Sequence, residues 1–209
     1  MAKVAGVFFA ILVWIAPAGG ALACSVAEVA GSDRLIRPEV GIDQRLIDAT
    51  IRAEVNYHRC KAGRGPLSGS PALAGIAETH AKWMARAQTV SHKSRVAGQS
   101  TLKARMKRSG VRFRAASENI GMVQRFALEG GTFRIRSESA CRFETSGGKP
   151  VGAHTYASLA KFIVNMWATS KGHRENLLDR RVSMVGSGAG FAARAPYCGR
   201  FFLSQNFAG

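Results

Sequence analysis

Acidic residues are scarce in this chain. Only 13 Asp and Glu stand against 30 Lys and Arg in 209 residues, which gives a formal net charge of +17. Such a balance describes partners and solubility rather than fold. Aromatic residues are also few, at 8%, whereas hydrophobic residues reach an ordinary 46%. This composition excludes a disordered, collagen-like or coiled-coil protein, and the length suits one globular domain with its own core.

Several enzyme and metal-site motifs are also missing. The sequence has no G-x-S-x-G nucleophile elbow, no H-E-x-x-H zinc motif and no nucleotide-, haem- or copper-binding signature. The four cysteines include no C-x-x-C pair, which argues against a structural zinc site. We therefore expect no organic cofactor.

A long hydrophobic run occurs only near the N-terminus. Lys3 precedes an apolar stretch at 4–16, a Pro- and Gly-containing break follows at 17–20, and Ala21-Leu22-Ala23 forms an A-x-A cleavage site. The stretch is too short for a membrane span, and this order is typical of a secretory signal peptide. We predict that residues 1–23 are removed on export and that the protein is secreted or periplasmic.

The cysteines fit this exported location. Cleavage would leave Cys24 at the new N-terminus, and Ala21 occupies the position where a lipoprotein signal prefers Leu, so Cys24 should stay unlipidated. Exported cysteines usually pair, although four cysteines allow three connectivities. Cys24 and Cys60 flank the first helical region, while Cys141 and Cys198 both lie in the later, strand-rich half. We predict two disulfides, Cys24–Cys60 and Cys141–Cys198.

Apolar periodicity predicts four helices and, mainly after them, several strands. The helices are expected at Asp43 to Cys60, from Ser70-Pro71 through Met84, from a Ser100 cap through Met106 to Gly110, and around Leu159 to Trp167. The strand patterns lie at 117–123, 132–143, 182–191 and 201–207. Gly186, Gly188 and Gly190 leave one bare strand face, which would let another element approach closely. The order predicts a layered α+β domain at 42–209, after a leader at 24–41.

Basic residues concentrate in one short region. Six occur within twelve positions that contain no acid: Lys103, Arg105, Lys107, Arg108, Arg112 and Arg114. Arg105, Arg108 and Arg112 recur at helical spacing, so we expect them to form a solvated face or to meet an anionic envelope surface, such as lipid headgroups or lipopolysaccharide. Only Phe113 is interleaved, and export removes most contact with nucleic acid, so no nucleic-acid partner is expected.

Three segments carry candidate chemistry: Ser91-His92, Glu118-Asn119-Ile120, and the block from Trp167 through Gly172-His173-Arg174 to Leu178. Each alone has an ordinary structural explanation, such as a lone histidine, a turn or a capped helix start. Taken together and in this order, the three segments make the chain resemble the bacterial branch of the CAP superfamily, also called the SCP domain. The resemblance also includes Asn56, Arg59, Pro66-Leu67 and the closing Gln205-Asn206-Phe207. The resemblance covers about 42–209 and implies a three-layer α-β-α sandwich with a central antiparallel sheet and a cleft.

The resemblance also implies a His-Glu-Glu-His tetrad in that cleft. His92, Glu118 and His173 match the first His, the first Glu and the second His. The second Glu falls three residues after the motif's tryptophan, where this chain has Ser170. Glu175 is close in sequence but does not match the motif. The positions that match the tetrad therefore supply one carboxylate where the family pattern has two.

His92, Glu118 and His173 leave three arrangements open. They could form an open metal site with water as the fourth ligand. Glu118 could instead hydrogen-bond to one imidazole and favour its protonated form, or fix its tautomer as an outer partner of the metal. The resemblance implies that His92 and His173 can bind a divalent cation such as zinc, without making that cation catalytic.

We interpret the chain as a secreted or periplasmic, monomeric binding module for a lipid, a sterol-like molecule or a peptide, rather than as an enzyme. The alternative is a metal-assisted envelope hydrolase of the peptidase type. A hydrolase of this type would need a nucleophile, and Ser91 is a poor candidate. It is adjacent to His92 in sequence, and adjacent side chains rarely point toward the same substrate atom. Of the other histidines, His80 should lie in the core, and His58 and His154 should have roles at helix ends.

Overall fold

The computed structural model describes Met1 and residues 23–209. The predicted signal peptide lies almost wholly outside these residues. The helices are α1 (Gln44–Lys61), α2 (Pro71–Ala87), α3 (Leu102–Ser109), α4 (Tyr156–Thr169) and α5 (Lys171–Leu178). The strands are β1 (Ser68–Gly69), β2 (Ala116–Gln124), β3 (Phe133–Ser137), β4 (Arg142–Thr145), β5 (Met184–Ala192) and β6 (Arg200–Ala208). None of the helices in the described part of the chain is long and apolar enough to span a bilayer.

A four-stranded sheet in the order β1-β5-β6-β2 forms the middle layer. β5, β6 and β2 are antiparallel, and β1 adds a short parallel edge through two residue pairs with β5. One core packs α1 and α4 against the sheet, and α2 and α3 pack on the opposite face. The β3–β4 hairpin is a separate two-stranded sheet. The predicted α-β-α sandwich is therefore confirmed.

The glycine face of β5 brings α2 onto the sheet. A Cβ at Gly186 would overlap backbone atoms of Ala74, and one at Gly188 would overlap the backbone of Glu78. Only a strand without side chains on this face admits a helix so closely, as the period-two glycines predicted. The rest of the β5 edge is covered by α1, because Asp48 accepts from the Ser187 N–H at 2.7 Å.

Three predicted boundaries need correction. Thr101, not Ser100, caps α3, since its hydroxyl accepts from the Ala104 N–H at 3.2 Å; Gly110 ends the helix in a left-handed conformation, as predicted. The single strand expected at 132–143 is two strands, because the chain turns near Cys141, which has φ 51°. A fifth helix, α5, follows the four that were predicted, and it contains His173.

Both predicted disulfides are present. Cys24 pairs with Cys60, and Cys141 pairs with Cys198. The first bond ties the leader to the end of α1, and the leader also packs on the domain, because the Ile36 side chain is buried and its N–H donates to the carbonyl of His154 at 3.0 Å. The leader is therefore part of the folded unit.

Candidate functional site

Glu118 is the centre of a buried polar cluster beneath α2 and α3. It lies on β2 with a side chain only 1% exposed. The Arg105 guanidinium donates to both carboxylate oxygens at 2.7 Å, the Ser204 hydroxyl donates to Oε1 at 3.2 Å, and His92 Nδ1 lies 2.9 Å from Oε2. Burial alone would raise the pKa of Glu118, but the hydrogen bond from His92 and the charge of Arg105 together lower it. The Glu118 carboxylate therefore stays ionised, and both of its oxygens have hydrogen-bond partners.

Arg105 is buried, and the prediction that it belongs to a solvated basic face is wrong. Its side chain is 0% exposed, and besides Glu118 it donates to the carbonyls of His92 at 3.1 Å and Gln99 at 3.3 Å. Arg105 precedes the buried Met106 on α3, so the two side chains share the inward half of the helix surface. The counter-charge of Glu118 is what makes burial of the guanidinium possible.

His92 is the exposed member of the cluster. It lies in the loop after α2 with 59% of its side chain exposed, while Nδ1 is fixed by Glu118. A carboxylate only accepts hydrogen bonds, so Nδ1 carries the proton and, in the neutral ring, Nε2 carries the free lone pair. The site therefore offers one oriented imidazole nitrogen to the solvent side.

His173 is positioned by the contact between α5 and β2. Asn119 donates to the His173 carbonyl at 3.2 Å, and Asn176 donates to the Asn119 side chain at 2.9 Å and to the Glu118 carbonyl at 3.2 Å. These bonds explain why the Glu-Asn pair and the later asparagine occur together. Burial lowers the pKa of His173, and the charge of His92 lowers it further. His92 is therefore tied to Glu118 and His173 to the contact between α5 and β2, and the convergence of the two imidazoles on one site stays a prediction.

His80 was predicted to be a core residue, and its burial is confirmed. It also supports the site, because Nε2 is 2.8 Å from the Ser91 carbonyl and 4.0 Å from Oε1 of Glu118. Sequence reasoning missed this second role, although His80 faces the same side of α2 as the residues that cover β5. The other histidines have structural contacts: His58 pairs with Asn165 at 3.0 Å and His154 with a hydroxyl in the first turn of α4.

Comparison with known proteins assigns this chain to a family. The model of the cysteine-rich secretory protein family, CAP, matches residues 52–207. The chain belongs to the CAP family. No curated protein matches it.

Two solved structures resemble this CAP domain in fold. An extracellular SCP-domain protein from Bacillus anthracis is 23% identical over 83% of this chain and 44% of its own, with a TM-score of 0.50. An outer surface protein from Borrelia burgdorferi is 15% identical over 80% of this chain and 96% of its own, with a TM-score of 0.52. The chain thus spans less than half of the Bacillus protein.

The CAP tetrad is incomplete in this chain. Ser170, at the position of the second Glu, is half-buried at the junction of α4 and α5, where its side chain makes no capping hydrogen bond. Glu175 is exposed on α5. The positions that match the tetrad therefore supply two imidazoles and one carboxylate, and Arg105 neutralises that carboxylate.

This donor set does not fit a resident catalytic zinc ion. Such sites usually supply three protein ligands. His92 and His173 could supply two, but both oxygens of Glu118 are occupied and lie 2.7 Å from the Arg105 cation, which would repel a dication. Within residues 23–209, no group of three or more His, Cys, Asp or Glu is arranged to hold a metal ion.

Proposed function

We propose that the protein is an exported CAP-domain binding module in which His92 and His173 recognise a lipid or peptide without chemical turnover. Export is supported by the N-terminal sequence, by the two disulfides, and by structural relatives described as extracellular and outer-surface proteins. The observation that carries the binding role is the Arg105–Glu118 ion pair, which fixes His92 and leaves its Nε2 as the available group.

Such an imidazole suits recognition of a polar group. With Nδ1 held by Glu118, neutral His92 accepts a hydrogen bond at Nε2 from a ligand hydroxyl or amide. Protonated His92 donates from the same atom to a carboxylate or a phosphate. His173, in the same region, adds a second polar contact. The remainder of a lipid or peptide would lie along the surrounding surface.

The hydrolase alternative has weaker support. A general base must be able to take up a proton near the working pH, whereas Glu118 has a lowered pKa and both oxygens engaged. A zinc-activated water would need a third ligand, and residues 23–209 hold no group of three or more His, Cys, Asp or Glu that could bind a metal ion. Binding is therefore the function that the geometry supports best.

Native mass spectrometry of the exported protein, combined with a turnover assay, tests the proposal. Wild type is expected to carry a small organic molecule that a His92→Ala/His173→Ala double variant loses. His58→Ala, at a half-buried histidine of α1, serves as the control and should keep the molecule. Turnover of a broad ester and peptide panel should be absent. Turnover that disappears with a chelator and in the double variant would establish the hydrolase instead.

A further inference from the structure

The surface from Lys93 to Arg114 carries cations without a compensating acid. No Asp or Glu occurs between Glu78 and Glu118, and Glu118 is buried against Arg105. Seven basic residues of this segment are exposed: Lys93, Arg95, Lys103, Lys107, Arg108, Arg112 and Arg114. Although Arg105 is buried and does not belong to the predicted basic face, the remaining exposed cations make this surface strongly positive.

Buried hydrogen bonds hold this segment in place. Arg105 joins the 92–99 loop to α3 through the carbonyls of His92 and Gln99. After α3, the N–H groups of Arg114 and Ala115 both donate to the carbonyl of Gly209, at 2.6 and 2.8 Å. The loop, the helix and the following turn thus form an ordered surface, and we call residues 93–114 the basic face.

The basic face also exposes an aromatic side chain. Phe113 is 39% exposed and lies between Arg112 and Arg114. An exposed aromatic ring flanked by cations is typical of proteins that lie at a membrane interface, where the ring enters the headgroup boundary and the cations contact lipid phosphates. Nucleic-acid binding would instead need several stacking aromatics, and Phe113 is the only aromatic residue of the basic face.

We propose that the basic face docks on a bilayer surface rich in anionic phospholipid. Docking would place the phosphates against the exposed cations and Phe113 at the headgroup boundary. His92 directly precedes the face and is itself exposed, so its imidazole would lie beside the headgroups. This interaction is separate from ligand recognition by His92 and His173, and either can fail without the other.

Vesicle co-sedimentation of the mature, disulfide-bonded chain tests the proposal. We expect binding to vesicles of phosphatidylglycerol and phosphatidylcholine in equal parts, little binding to phosphatidylcholine alone, and release by high salt. The variant Lys103→Gln/Lys107→Gln/Arg108→Gln should reduce the partition coefficient about a hundredfold, since each cation near an anionic surface contributes about fivefold. Phe113→Ala should weaken binding further.

The β3–β4 hairpin supplies a matched control. Arg134→Gln/Arg142→Gln/Lys149→Gln removes the same charge from exposed positions outside the basic face and should leave vesicle binding nearly unchanged. Thermal unfolding of both triple variants checks that they fold. Equal losses in the two variants, binding to phosphatidylcholine alone as strong as to the mixture, or tighter binding to duplex DNA than to anionic vesicles would each overturn the proposal.

Discussion

At the residue scale, Arg105 and Glu118 decide how the site works. Their side chains are 0% and 1% exposed, so the ion pair is shielded from water. Desolvation opposes much of the attraction in such a pair, and its net contribution to stability is small. Removal of one partner is different, because the other charge is then left buried and uncompensated. The pair therefore fixes the position of His92 more than it adds stability.

Arg105→Met is expected to lower the free energy of unfolding by about 3 to 5 kcal/mol, because Glu118 loses its buried counter-ion. Lys107→Met, at an exposed position of the same helix, is the control and should change it by about 0.5 kcal/mol or less. Urea denaturation of both variants measures the difference. Similar values for the two variants would mean that Glu118 is not held as the structure shows.

His80 makes stability depend on pH. Burial lowers its pKa from the ordinary 6.5, so the folded protein keeps His80 neutral while the unfolded chain takes up a proton as pH falls through 6.5. The contribution of neutral His80 to the free energy of unfolding is therefore full above pH 6.5. Below pH 6.5 it declines by at most about 1.4 kcal/mol per pH unit, and the decline ends at the pKa of His80 in the folded protein. The lowered pKa of His173 acts in the same direction.

Urea denaturation as a function of pH tests this role of His80. His80→Asn should flatten the decline in stability below pH 6.5, whereas His58→Asn, at a half-buried histidine of α1, should leave the wild-type profile. A decline in His80→Asn as steep as in wild type would assign the pH dependence to other groups.

At the element scale, the packing of α2 on β5 shapes the site. It positions His80 over Glu118 and sets the start of the loop that carries His92. The period-two glycines of β5 predicted this close approach from the sequence, because a missing side chain at every second residue leaves one strand face bare. The division of 132–143 into two strands could not be predicted, since its turn contains Cys141 in a left-handed conformation that neither Gly nor Asn signals.

Gly188→Ala is expected to lower the free energy of unfolding by about 3 kcal/mol, because its Cβ would overlap the α2 backbone at Glu78. Gly75→Ala, on α2 where nothing lies within 4 Å of the added Cβ, should raise it by about 0.5 to 1 kcal/mol. Chemical denaturation compares the two. A neutral Gly188→Ala would show that α2 is farther from the sheet.

At the scale of the whole molecule, the sequence motifs predicted the fold better than they predicted the contacts of individual side chains. The resemblance to the CAP family predicted the layered fold, whereas the grouping of His92, Glu118 and His173 in one site stays a prediction. Arg105 was not predicted as part of it, because a basic residue among exposed cations has no local sign of burial. Only the long-range pairing with Glu118 reveals that role.

The central claim is that Glu118 cannot bind a metal ion because Arg105 occupies both of its oxygens. A zinc titration of wild type and of Ser170→Glu tests this claim most directly. Ser170→Glu restores the missing tetrad carboxylate, and Thr169→Glu adds the same charge one residue earlier as the control. Isothermal calorimetry should show weak zinc binding to wild type, affinity about tenfold higher for Ser170→Glu because a third ligand is available, and no gain for Thr169→Glu. Tight stoichiometric zinc binding by wild type, with no gain in Ser170→Glu, would contradict the account.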